Sequence, residues 1–136
     1  MGYKAEFEGK YTEAVGRRKT AIARVRMYPG KGQIVINNKE LNVFFPLQKL
    51  QEKVWTPLTV AGRKESFNVQ AKVVGGGITG QAEAVRLGIA RCLLLEDQDL
   101  KATLKKSGLM TRDSRKRERK KPGKRSARRS PQWSKR

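Results

Sequence analysis

The last 25 residues of the chain cannot build a hydrophobic core, and this limits everything that precedes them. From Arg112 to Arg136 there is no Leu, Ile, Val or Phe, and 13 Lys and Arg face only 2 Asp and Glu. Burial of apolar surface is what offsets the ordering entropy of a backbone. This stretch is therefore expected to be an extension, disordered or loosely helical when free and ordered on a partner. Residues 1–111 hold 19 basic and 10 acidic residues, a net of +9, whereas residues 112–136 carry +11. The composition divides the chain into an N-terminal arm (1–10), a globular domain (11–111) and an extended basic tail (112–136).

All 136 residues together carry a formal charge of +20, which is hard to keep compact without a polyanion. Nucleic acid is the usual partner, and an anionic membrane surface is the rival. No apolar run approaches the ~18 residues of a spanning helix. Glu6 stands where a myristoylation motif requires a hydroxyl. The opening from Met1 to Glu8 is acidic and polar, unlike a signal peptide or an obvious transit peptide. RNA binding, with no membrane partner, is the expectation, in a cytosolic-type compartment or an organelle that makes its own protein. The single cysteine, Cys92, and the absence of histidine exclude an intrachain disulfide, a Cys/His zinc site and histidine acid–base chemistry. No catalytic residue, metal, cofactor or small-molecule substrate is expected.

The body reads as a small α/β (α+β) domain. Residues 19–28 alternate, with Ala21, Ala23, Val25 and Met27 on one face and Thr20, Ile22, Arg24, Arg26 and Tyr28 on the other. Pro29-Gly30-Lys31-Gly32 is a turn by composition, and Gln33–Ile36 is expected to return as the hairpin partner. Asn37-Asn38 supplies the next turn. Leu47, Leu50 and Val54 have helical spacing, giving a short helix over 46–54 with Pro46 near its first turn. Residues 66–74 alternate again, with Phe67, Val69, Ala71 and Val73 inward, and Gly75-Gly76-Gly77 ends that strand. Gln81–Leu95 presents Ala82, Val85, Ile89, Cys92 and Leu93 as a core-facing helix. Leu100–Lys106 is a last short helix with Gly108 as its C-terminal cap.

Gly75-Gly76-Gly77-Ile78-Thr79-Gly80 satisfies G-x-G-x-x-G, and Glu96 lies where a dinucleotide fold places its ribose-binding acid. Such a fold needs a further strand after the helix. Here the chain continues as Glu96-Asp97-Gln98-Asp99-Leu100-Lys101, which is polar and helical. Gln81 stands where a Walker loop requires Lys. What remains is the physics of bare amides leading into a helix N-terminus, which suits a backbone phosphate. A glycine-rich connection that lets helix and strand approach closely explains the same residues.

Cations cluster at Arg17-Arg18-Lys19, beside Thr20, and continue at Arg24 and Arg26. RNA contact is one reading; edge-strand charges that prevent aggregation are the other. In the tail, Arg112, Arg115, Lys116, Arg117, Arg119, Lys120 and Lys121 precede a Pro122-Gly123 bend. Lys124, Arg125, Arg128 and Arg129 follow it. Asp113 and Glu118 interrupt the charge where they can hold neighbouring arginines. Trp133 sits alone among cations, where its ring can stack on a base or pack on a partner. Extended chain covers at most ~3.3–3.6 Å per residue. The 26 residues from Thr111 could thus span roughly 85–90 Å, enough to thread through a large folded RNA.

Several of these runs resemble a known family, the ninth small-subunit ribosomal protein in its bacterial or organellar form. The carriers are Gly16–Thr20 with Ala23-Arg24-Val25, Pro29–Gly32, Gly75-Gly76-Gly77 with Gly80-Gln81-Ala82, Gly88–Arg91 and Gly108–Asp113. Glu118–Lys121, Ala127-Arg128-Arg129 and Gln132–Arg136 complete the likeness, which covers nearly the whole chain from Tyr11. Trp133 departs from the family's Phe or Tyr, and Ser114 stands where Pro is expected. The resemblance implies a mixed sheet with helices packed on it, like the second domain of the fifth small-subunit ribosomal protein. It implies a place in the head of the small subunit among neighbouring head proteins, bound to ribosomal RNA. The ribosomal RNA contacts would be Arg17, Arg18, Lys19, Thr20, Arg24, Arg26, Lys31, Gly75, Gly76, Gly77 and Gln81, with the tail cations from Arg112 to Arg129. It also implies that Trp133, Ser134, Lys135 and Arg136 reach peptidyl-site tRNA. A free RNA chaperone and a nucleotide-dependent enzyme using the glycine loop are the rival functions.

Overall fold

The computed structural model describes residue 7, residues 9–112, residues 114–115 and residue 122. Within them the chain forms β1 (Thr12–Arg18), β2 (Ala21–Pro29), β3 (Ile34–Ile36), β4 (Lys39–Glu40), α1 (Leu41–Phe44), α2 (Gln48–Ala61), β5 (Phe67–Val74), α3 (Ile78–Glu96) and α4 (Lys101–Lys106). The strands make one sheet in the order β1-β2-β5-β3-β4. β1, β2 and β5 pair antiparallel, β3 runs parallel to β5, and β4 closes the edge antiparallel to β3. Parallel strands require a crossover connection, and α1 and α2 supply it.

The alternation in β2 and β5 decides which face is buried. Ala21, Ala23, Val25 and Met27 are fully buried, as are Val69, Ala71 and Val73 or nearly so. α3 lies against β1 and β2 on that face, and α2 packs beside α3. Phe45, Leu58, Ile89, Leu93 and Leu104 fill the space between the layers. Two glycines make the closest approach possible. A Cβ on Gly16 would stand 1.9 Å from the Ala84 carbonyl oxygen, and one on Gly88 would stand 2.5 Å from Val25 Cγ2.

Four elements differ from the sequence expectation. The first strand is β1, which no alternation announced and which ends in Gly16-Arg17-Arg18 before the strand expected over 19–28 begins. Lys19 and Thr20 are the turn between β1 and β2, with Lys19 at φ 55°, a conformation that neither residue type advertises. Ile34–Ile36 does not return as the hairpin partner of β2; β5 occupies that place. The Asn68 side-chain oxygen accepts the backbone N–H groups of Lys31, Gly32 and Gln33, carrying the chain across the start of β5 to its far side. The helix expected over 46–54 begins at Gln48, leaves Leu47 exposed and continues through Pro57 to Ala61, where Gly62 at φ 68° ends it. Its extra length buries Pro57 and Leu58.

Several of the remaining element expectations hold, although the helix expected over Gln81–Leu95 starts three residues earlier, at Ile78. Asn37 and Asn38 take positive φ in the β3–β4 turn. Ala82, Val85, Ile89, Cys92 and Leu93 are all buried. Gly108 at φ 74° caps α4, its N–H donating to the Lys105 carbonyl. After α3 the chain enters a single 3-10 turn and α4 rather than a strand, so the dinucleotide fold is absent from the described residues. Glu96 ends a 19-residue helix that starts at the glycine loop, roughly 27 Å away at 1.5 Å per residue. No described helix is long and apolar enough to cross a membrane.

Candidate nucleic-acid interface

One end of the sheet gathers the β1–β2 turn, the glycine loop and the point where the tail departs. Arg18 Nε donates to Glu83 Oε2 at 2.7 Å, and Lys53 Nζ reaches Glu83 Oε1 at 3.3 Å. Burial alone would raise the Glu83 pKa, but hydrogen bonds and charge from Arg18 and Lys53 outweigh it and hold the carboxyl below its ordinary value. The same Arg18 donates through Nη1 to the Arg115 carbonyl at 2.6 Å. A single guanidinium thus ties β1, α3 and the first residues of the tail together. Arg17, Arg86 and Thr111 line a shallow hollow beside it. Arg112 packs partly buried, and its Nε has no hydrogen-bond partner among the described residues.

The glycine loop belongs to the same end. A Cβ on Gly75 would stand 2.6 Å from the Thr20 carbonyl oxygen, and one on Gly76 2.9 Å from Ala21. Both have positive φ, so packing accounts for these two glycines. Gln81 donates its side-chain amide to the Gly75 carbonyl at 3.1 Å and braces the loop. Gly77 is open to solvent at the start of α3.

Arg24 and Arg26 lie elsewhere, on the sheet face that carries no helix. Arg24 faces Lys72 across the β2–β5 ladder, and Arg26 faces Gln70. Glu13 on β1 accepts from Arg24 Nε and lies 3.8 Å from Arg26 Nε. The hydrogen bond to Glu13, with its charge, raises the Arg24 pKa further. Arg26 also stands 4.7 Å over the Tyr11 ring. β2 and β5 are interior strands, so these cations do not guard an edge.

Lys31 is separated from the rest. It follows the far end of β2, roughly 25–30 Å from the Lys19 turn at strand spacing. There it borders a cavity of about 620 Å³ with Trp55 and Asn68. Lys116, Arg117, Arg119, Lys120, Lys121, Lys124, Arg125, Arg128, Arg129, Trp133, Ser134, Lys135 and Arg136 lie outside the described residues. The sequence reading passed over Lys53, Lys72 and Arg86. For Lys72 the signal was present, because the alternation of 66–74 puts Gln70 and Lys72 outward. No cluster of His, Cys, Asp and Glu among the described residues could hold a metal ion.

The sequence pattern of the family described as Ribosomal protein S9/S16 matches residues 16–136. That span includes the turn cations, the glycine loop and the whole tail. The chain belongs to this family. Its members are structural, non-enzymatic ribosomal proteins. A curated relative, "Small ribosomal subunit protein uS9" of Cytophaga hutchinsonii, is 51% identical over 123 residues, covering 90% of this chain and 96% of the relative. Membership removes the nucleotide-dependent enzyme from consideration.

Proposed function

We propose that the chain is built into the small ribosomal subunit, in the head, where it binds ribosomal RNA through its basic surfaces. The C-terminal tail then contacts tRNA in the peptidyl site during translation. The observation that carries this reading is the +11 tail leaving a folded domain at a fixed point, where Arg18 holds the Arg115 carbonyl. Cations and amides that position phosphates need no catalytic group. Arg17 and Arg18 at the end of β1 and the turn residues Lys19 and Thr20, with Arg112 and Arg115, form the near end of an RNA path that continues into the tail. Trp133 to Arg136 end that path as the tRNA contact. The protein works in the cytoplasm of a bacterium or in an organelle, beside neighbouring head proteins.

Removing Ser134–Arg136 from the full chain tests the terminal role. Small subunits reconstituted with the shortened chain are expected to assemble normally and to bind peptidyl-site tRNA more weakly in filter binding. Equal tRNA affinity in the two subunits would refute the tRNA contact while leaving the ribosomal RNA contact standing.

A further inference from the structure

We propose that the helix-free face of the sheet holds a phosphate of the RNA backbone in a groove between Arg24 and Lys72, and that Arg26 positions this site rather than contacting the RNA. The inference rests on the RNA-binding reading above and gives it a second surface, separate from the tail.

The groove is a cavity of about 530 Å³ whose lining includes Arg24, Arg26, Gln70, Lys72, Val74 and Asn38, and no carboxylate. Its floor is the β2–β5 ladder. Its wall is the β3–β4 turn, which Asn37 locks to β5 by accepting the Val73 N–H at 2.8 Å and donating to the Val73 carbonyl at 3.0 Å. Asn38 is thereby held at the rim with its amide exposed.

Like charges placed directly opposite on neighbouring strands destabilise a sheet. Arg24 and Lys72 are such a pair, in the middle of interior strands. An anion between them turns the repulsion into attraction. Glu13 does this only in part. It engages Arg24 through Nε, lies near Arg26, and makes no ion pair with Lys72 among the described residues. The three cations are therefore graded. Arg26 is held between Glu13 and the Tyr11 ring. Arg24 has one edge engaged and its side chain is 58% exposed. Lys72 is exposed and makes no ion pair among the described residues. Strands lie ~4.8 Å apart, so both long side chains can reach oxygens of a single phosphate. The exposed Asn38 amide and the half-buried Gln70 amide add donors and acceptors of the kind that meet a ribose hydroxyl.

The test uses the full chain and labelled small-subunit ribosomal RNA, with affinity measured over a range of salt. Lys72→Gln and Arg24→Gln are each expected to weaken binding several-fold and to reduce the slope of log K against log salt by about one. Arg26→Gln is expected to leave the slope unchanged, as is Lys105→Gln on α4, the comparator on the helical side. Circular dichroism melts check that each variant is folded. If Lys72→Gln and Lys105→Gln behave alike while the wild type binds, the groove assignment is overturned and the tail reading survives. A slope loss for Arg26→Gln equal to that for Lys72→Gln overturns the division of roles. No binding by the wild type overturns both readings.

Discussion

Glu83 shows how much one carboxylate can hold. It sits on α3 and draws in Arg18 from β1 and Lys53 from α2, with its side chain only 19% exposed. Its folded pKa lies below the ordinary 4.5, because the two cations outweigh the burial penalty. A carboxylate depressed on folding contributes stability that is fully present above the unfolded pKa. That contribution is lost as pH falls through the folded value. Urea denaturation between neutral pH and the acid side of 4.5 should therefore show stability falling in the wild type, and falling less in Glu83→Gln. Parallel curves for the two proteins would mean that Glu83 is not a linked group. Cys92 differs in kind. Burial pushes its thiol up to about 12, so it stays protonated and serves the core as a small hydrophobe.

α3 is the element on which the fold is organised, and its glycines do opposite things. Gly88 touches β1 and β2 so closely that a methyl group would overlap Val25. Gly80 has room: a Cβ there would lie 3.5 Å from the Arg18 carbonyl oxygen and 3.8 Å from Ala21. Gly88→Ala should cost about 1–3 kcal/mol by overpacking. Gly80→Ala should raise stability by up to about 1 kcal/mol, because alanine is the better helix former. Urea midpoints of the two variants moving in the same direction would contradict this account of the helix–sheet contact. The same geometry explains what the sequence made legible. β2, β5 and α3 each bury a regular pattern of side chains, and that pattern is visible in the residues. β1 buries only Gly16 fully, so it has no apolar alternation to read. The neighbour of β3 is set by three amides converging on Asn68, a side chain more than thirty positions away. The Arg24–Lys72 pair is hidden for a related reason. Each residue reads as outward-facing, but only the register of β2 on β5 puts them opposite each other.

Over the whole molecule, three acidic groups of the body are spent on its own cations. Glu13, Glu83 and Asp97 each engage one or more cations of the domain itself. The net charge of +20 already counts every carboxylate, and residues 112–136 contribute +11 of it. A chain charged in this way should respond to salt in two opposed directions. Free in solution, its long-range repulsion is screened as the Debye length shortens to about 8 Å at 0.15 M, so the melting temperature should rise from low to moderate salt. Bound to ribosomal RNA, it loses the entropy gained from counterion release. If 6–10 phosphates are neutralised, affinity should fall by about 10³–10⁵ between 50 and 200 mM. Melting curves and filter binding over one salt series measure both. A melting temperature that falls with salt would mean that the short ion pairs of Glu13 and Glu83 outweigh the general repulsion. The excess charge would then be tolerated by the folded domain without help, and RNA would not be needed to stabilise the body.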